Sequence, residues 1–237
     1  MIRSEVLPYK HNDTSLNGFV AWDAASSESR PGVMVVHGGA GLDDHARNRA
    51  LRFAESGFVV FACDMYGEGV AGDRQRVMQQ IAEFRRNPDS LCQRAKAGLT
   101  VLNQHPIMDG RKAAVGYCFG GMTVLELARS GENLAGIVSV HGALDTMQPA
   151  SPGGIRAKVL VCHGALDPHV PMAHVASFTE EMSRAEADWQ LIIYGGAMHG
   201  FTHESATGKL PGVAYHRPSD LRSSIAIQTF LNEVFKR

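Results

Sequence analysis

The sequence predicts an α/β fold in which a mostly parallel central sheet is flanked by helices on both faces. Three observations predict it. Apolar runs of strand length alternate with amphipathic segments of helix length, the rhythm of a parallel sheet whose crossovers are helices. The chain has 237 residues, 44% of them apolar, enough to fill a sizeable core in one α/β domain. No Ser/Gly-rich linker, charge block or shift in composition divides it, so residues 1–237 are expected to form a single domain.

In chain order, Glu5 to Tyr9 and Gly18 to Asp23 read as an antiparallel start. The buried strands expected next are Val33 to His37, Phe58 to Cys63, Ala113 to Tyr117, Gly136 to Val140, Val159 to His163 and Gln190 to Tyr194. Helices are expected between them at 44–55, 75–86, 89–104, 120–130 and 171–186, with a closing helix at 219–235. A short repeat, His141-Gly142-Ala143-Leu144-Asp145 and His163-Gly164-Ala165-Leu166-Asp167, follows two successive strand runs. Each copy sets an aspartate after a strand, where open α/β sheets place their ligands.

Composition excludes several classes of function. Lys plus Arg is 23 and Asp plus Glu is 24, so a net charge of -1 gives no electrostatic reason for a nucleic acid or an anionic membrane as partner. The N-terminal residues are polar and no later run has the apolar length of a bilayer-spanning helix, so a cytoplasmic protein is expected. Cys63, Cys92, Cys118 and Cys162 stand singly, without a C-x-x-C pair, and no disulfide is expected. The 11 histidines include no H-E-x-x-H or H-x-H spacing, so neither a metal nor another cofactor is expected. The expected assembly is a monomer or homodimer.

The most informative stretch runs from Lys112 to Ala128: a short apolar strand, then Gly116-Tyr117-Cys118-Phe119-Gly120, then a helical pattern. It reads as a nucleophile elbow with sulfur in place of the usual serine oxygen, the hallmark of an α/β-hydrolase fold. A sharp strand-to-helix turn brings backbone against both flanks of the nucleophile, which leaves no room for Cβ atoms at Gly116 and Gly120. At the start of a helix, Cys118 also lies at the positive end of the helix dipole, which favours a thiolate. The other cysteines lack flanking glycines and read as core.

A thiolate mechanism needs an imidazole late in the chain, and His199 follows the last strand in Tyr194-Gly195-Gly196-Ala197-Met198-His199-Gly200-Phe201. His174, His203 and His216 are its competitors. The orienting acid is expected at Asp167, after the penultimate strand, with Asp145 as rival. The loop His37-Gly38-Gly39-Ala40-Gly41 follows the third strand run, where one backbone N–H of an oxyanion hole is expected from Gly39 and the other from Phe119. His37 is weighted as a loop anchor above a catalytic role. Tyr66, Phe201, His203 and His37 are candidate substrate contacts.

With these residues in place, the chain resembles the dienelactone hydrolase family over nearly its whole length. The matching features are the G-x-C-x-G elbow at Cys118, the Gly164 to Asp167 segment ahead of Pro168, and His199-Gly200-Phe201. The resemblance implies an α/β-hydrolase fold, a Cys-His-Asp triad, no metal and a thioester acyl-enzyme. Two positions depart from the family pattern. Its loop glutamate that contacts the resting cysteine is matched here by Gly38, and its substrate-gripping arginine, four residues after the histidine, by His203. Arg74, Arg76, Arg85 and Arg86 are other candidates for that grip.

The expected substrate is therefore a small molecule, an activated carboxylic ester or lactone that is neutral rather than carboxylate-bearing. The alternative is a neutral phosphotriester cleaved by the same triad without metal. A second alternative is a ligand-binding or redox-sensing cysteine pocket without turnover.

Overall fold

The chain begins with a hairpin set by its turn. In the computed structural model, which describes residues 1–236, strands β1 (Ile2–His11) and β2 (Thr14–Asp23) pair antiparallel from Ile2 opposite Asp23 to His11 opposite Thr14. The turn needs a left-handed residue, and Asn12 supplies it at φ +53. Both strands outrun the apolar segments that marked them. β1 is largely exposed, so backbone pairing continues where side-chain pattern has stopped.

The chain divides into two compact units, Met1–Val115 and Gly116–Arg237. In the first, the strands β3 (Arg30–Val36) and β4 (Val59–Cys63) run parallel, with Gly32 opposite Val59 and Val36 opposite Cys63. Every residue of both is buried, and each such Val or Phe contributes about 1.5–3 kcal/mol relative to exposure. With β5 (Met108–Tyr117) the strand order is β1-β2-β4-β3-β5. The helices α1 (Asp44–Glu55), α2 (Arg74–Arg86) and α3 (Pro88–Asn103) start where side chains satisfy their first amides. Asp43 accepts from the Ala46 N–H, Asp73 from those of Gln75 and Arg76, and Asn87 from that of Ser90.

The strand β5 ends in the second unit, where the order continues β5-β6-β7-β8. Here β6 (Gly136–Val140), β7 (Lys158–Gly164) and β8 (Trp189–Tyr194) are parallel, in the register Val140–Cys162–Ile192. Helix α4 (Phe119–Arg129) packs on β6, α6 (Arg217–Val234) packs on β6 and β7, and α5 (Met172–Arg184) connects β7 to β8. A buried ion cluster ties these elements together. The Arg129 guanidinium donates two hydrogen bonds to Glu181 (2.9 and 2.8 Å), one to Glu126 (2.9 Å) and one to the Leu144 carbonyl (2.7 Å). Among the described residues, no helix is long and apolar enough to cross a membrane.

Candidate active site

β5 stops at Tyr117 and α4 starts at Phe119, so Cys118 alone turns the chain, with φ +55 and ψ -113. A non-glycine residue in such a conformation costs on the order of 1–3 kcal/mol and persists only when its surroundings hold it. Its N–H is held twice, by the Val140 carbonyl at 3.0 Å and by Nδ1 of His141 at 3.1 Å. A Cβ on Gly116 would fall on the carbonyl of Gly120, which explains why glycine flanks the turn. Cys118 is partly exposed, whereas Cys63, Cys92 and Cys162 are buried.

A continuous hydrogen-bonded row starts at this sulfur. Cys118 Sγ lies 3.1 Å from Nε2 of His199, and Nδ1 of His199 lies 2.8 Å from Oδ2 of Asp167. Oδ1 of Asp167 accepts from the N–H groups of His169 (2.8 Å) and Val170 (3.1 Å), which satisfies the buried carboxylate on its other side. Burial works against charge on His199, but hydrogen bonds and attraction from Asp167 and Cys118 outweigh it and lift its pKa to about 10. Burial likewise raises Asp167, and the His199 and backbone hydrogen bonds more than reverse this, leaving it below its ordinary value. The imidazole is thus protonated and the carboxylate ionised near neutral pH.

The rival aspartate pairs differently: Asp145 is exposed, and its Oδ1 lies 3.9 Å from Nδ1 of His174. His216 caps α6 and bonds Ser219 at 2.7 Å. His203 is half-buried, and its N–H donates to the Gly200 carbonyl. Phe201 is fully buried, packed against the rings of His141 (5.2 Å) and Tyr194 (5.5 Å). Phe119 is also buried, at the first position of α4. In the first unit, the buried His37 ring bonds the Gly38 carbonyl at 2.7 Å and accepts from the Met65 N–H at 3.1 Å, anchoring the loop. Tyr66 packs on that ring and donates its hydroxyl to the Gly39 carbonyl at 3.4 Å. Arg74, Arg76, Arg85 and Arg86 all lie exposed on α2.

Three contributors escaped sequence reasoning: His141, Gly142 and Thr202. The ring of His141 accepts from Cys118 and meets Thr202 Oγ1 at 2.9 Å. A Cβ on Gly142 would lie 2.7 Å from the Gly121 Cα, so this glycine lets β6's exit loop approach the elbow helix. Gly164 does the same for the loop bearing His199, against the Ala197 carbonyl. The repeated His-Gly-Ala-Leu-Asp was the available signal, since its first copy supplies His141 and Gly142 beside the elbow and its second supplies Asp167. In the second copy, His163 is buried and its ring nitrogens have no hydrogen-bond partner. Burial holds it below its ordinary pKa, so it is neutral. Among the described residues, no group of three or more His, Cys, Asp or Glu side chains is placed to hold a metal ion.

An eight-stranded, mostly parallel sheet with helices and a strand–Cys–helix elbow defines an α/β-hydrolase. Within that class the chain belongs to the dienelactone hydrolase family, whose model matches residues 16–235. A solved structure named m3DLH is 37% identical over 99% of both chains, with a TM-score of 0.92. A dienelactone hydrolase-like promiscuous phosphotriesterase from metagenomic libraries is 36% identical, also over 99% of both chains, with a TM-score of 0.93. A probable 2-oxo-3-(5-oxofuran-2-ylidene)propanoate lactonase of Bradyrhizobium sp is 26% identical over 185 residues, 73% of this chain and 74% of its own.

Proposed function

We propose that this hydrolase cleaves activated, neutral carboxylic esters and lactones by nucleophilic catalysis at Cys118. The row Cys118–His199–Asp167, with contacts of 3.1 and 2.8 Å, is the observation that carries this reading. The Cys118 thiolate attacks the carbonyl carbon, and negative charge gathers on the carbonyl oxygen, which accepts from the N–H of Phe119, the residue after Cys118 at the start of α4. Collapse breaks the bond to the leaving oxygen, which takes the proton of the His199 imidazolium. A water then gives its proton to His199 and attacks the thioester, and the thiolate leaves. Asp167 orients the ring and stabilises its charge without taking the proton. No step calls for a cofactor.

Likeness to the promiscuous phosphotriesterase at 36% identity favours a second reaction at the same sulfur. There the thiolate attacks the phosphorus of a neutral triester, an aryloxide leaves, and water hydrolyses the S–P bond. Initial rates of wild type, Cys118→Ala and Cys118→Ser on p-nitrophenyl acetate, a dienelactone and a neutral aryl phosphotriester, with and without chelator, test both. Chelator-resistant activity lost in Cys118→Ala is expected. Activity surviving in Cys118→Ala sinks the nucleophile, and a non-catalytic pocket would release no burst of product from wild type.

A further inference from the structure

The first residue after β6 carries more than a loop requires. His141 has φ +41, a left-handed conformation that glycine or asparagine adopts more readily. It is 1% exposed, yet both of its ring nitrogens are engaged. The neighbouring Gly142 comes too close to Gly121 of the elbow helix to carry a side chain, so the ring of His141 is what this turn sets against the Cys118 backbone.

We propose that His141 is a positioning residue for the Cys118–His199 couple: its neutral ring ties the nucleophile's backbone N–H to the Thr202 hydroxyl, in the loop that carries His199. The proposal rests on the reading of Cys118 as nucleophile. A backbone amide can only donate, so the Cys118 N–H at 3.1 Å leaves Nδ1 of His141 as acceptor and places the ring proton on Nε2. That proton is donated to Thr202 Oγ1 at 2.9 Å. The elbow and the histidine loop are therefore joined twice. One link runs from Cys118 Sγ to His199 Nε2, the other from the Cys118 N–H through His141 to Thr202, three residues after His199. A single hydrogen bond sets a distance, whereas two parallel links also set the direction of the sulfur. The second link additionally holds the left-handed Cys118 backbone against relaxation. Neutrality matters because the two imidazole centroids are 5.4 Å apart. A cation at 141 would lose the acceptor and repel the protonated His199.

The test compares His141→Asn, His141→Leu, Thr202→Ser and Thr202→Val with wild type and Cys118→Ala. It reads folding by thermal melting, kcat and KM on p-nitrophenyl acetate, and the iodoacetamide alkylation rate of Cys118. Misdirecting a reacting atom costs on the order of 10²-fold, so His141→Leu is expected to lose that much in kcat while KM moves by less than about threefold. His141→Asn should restore most of the loss, since its Oδ1 takes the place of Nδ1 and asparagine tolerates the backbone. Thr202→Val should fall in the same direction and Thr202→Ser recover. If leucine at φ +41 prevents folding, the threonine pair carries the test with the backbone unaltered. Wild-type kcat and alkylation in folded His141→Leu or Thr202→Val, with Cys118→Ala inactive, would overturn this inference alone. An active Cys118→Ala would instead remove the nucleophile on which it rests. Losses that merely track melting temperature, with no recovery in His141→Asn or Thr202→Ser, would also overturn it.

Discussion

His199 stands between a carboxylate and a sulfur, and this decides how the site should respond to pH. Its pKa, lifted to about 10, keeps it a proton donor throughout the neutral range. For an alkyl ester, whose leaving oxygen needs that proton, kcat/KM should be flat from about pH 7 to 9 and fall as the pH passes 10. For p-nitrophenyl acetate, whose leaving group departs unprotonated, the alkaline fall should be absent. An alkaline limb near pH 7 with the alkyl ester would count against the protonated imidazole. The same pairing predicts that iodoacetamide alkylates Cys118 at a nearly constant rate well below pH 8.5, about where a free thiol ionises. In His199→Asn the alkylation should again follow an ordinary thiol titration. Asp167→Asn removes the charge that supports the imidazolium while keeping side-chain volume, and kcat should drop on the order of 10²–10⁴-fold. A drop below tenfold would mean that another group orients His199.

Elements differed in how legible they were. The strands β3, β4 and β6 are buried on every residue, and the apolar stretches Val33–Val36, Val59–Cys63 and Ile137-Val138 made their places evident from sequence, although the Arg30-Pro31 start of β3 was not. The exposed β1 had no such pattern, and its length came from backbone pairing with β2. In the same way Cys118, Asp167 and His199 sit in local punctuation, between glycines, before a proline and before Gly200-Phe201. His141 is marked only by the short repeat, which does not reveal its role, because that role depends on a left-handed backbone and on contacts with residues 23 and 61 positions away. The ion cluster was hidden for the same reason. Arg129 and Glu181 lie 52 residues apart, and burial pushes the nearby Glu126 carboxyl upward despite the attraction of Arg129. Removing one partner of a buried ion pair leaves the other uncompensated at a cost of about 3–5 kcal/mol, so Arg129→Met should destabilise the protein by that order in urea unfolding. A loss under about 1 kcal/mol would show that Glu126 and Glu181 are relieved by protonation or water.

Across the whole chain the charges nearly cancel, 23 basic against 24 acidic side chains, so no general field draws anionic substrates in. Selection between neutral and carboxylate-bearing substrates must then come from individual cations. The arginines of α2 are exposed, and Arg76 is engaged by Asp73 and by the Gly69 carbonyl. At the position four residues after His199 the chain carries His203, where the family's pattern has an arginine. A hydrogen bond between guanidinium and carboxylate contributes about 1.5–3 kcal/mol, equivalent to roughly 10–150-fold in kcat/KM. Wild type should therefore prefer p-nitrophenyl acetate or a neutral aryl phosphotriester to a dienelactone, once each is compared with its own uncatalysed rate. His203→Arg should raise kcat/KM for the dienelactone at least about tenfold and leave the neutral substrates nearly unchanged. The gain should shrink with added salt, because a partly exposed charge pair is screened. If wild type already favours the dienelactone and His203→Arg adds nothing, a carboxylate grip exists elsewhere in the chain, and charge neutrality of the substrate falls with it.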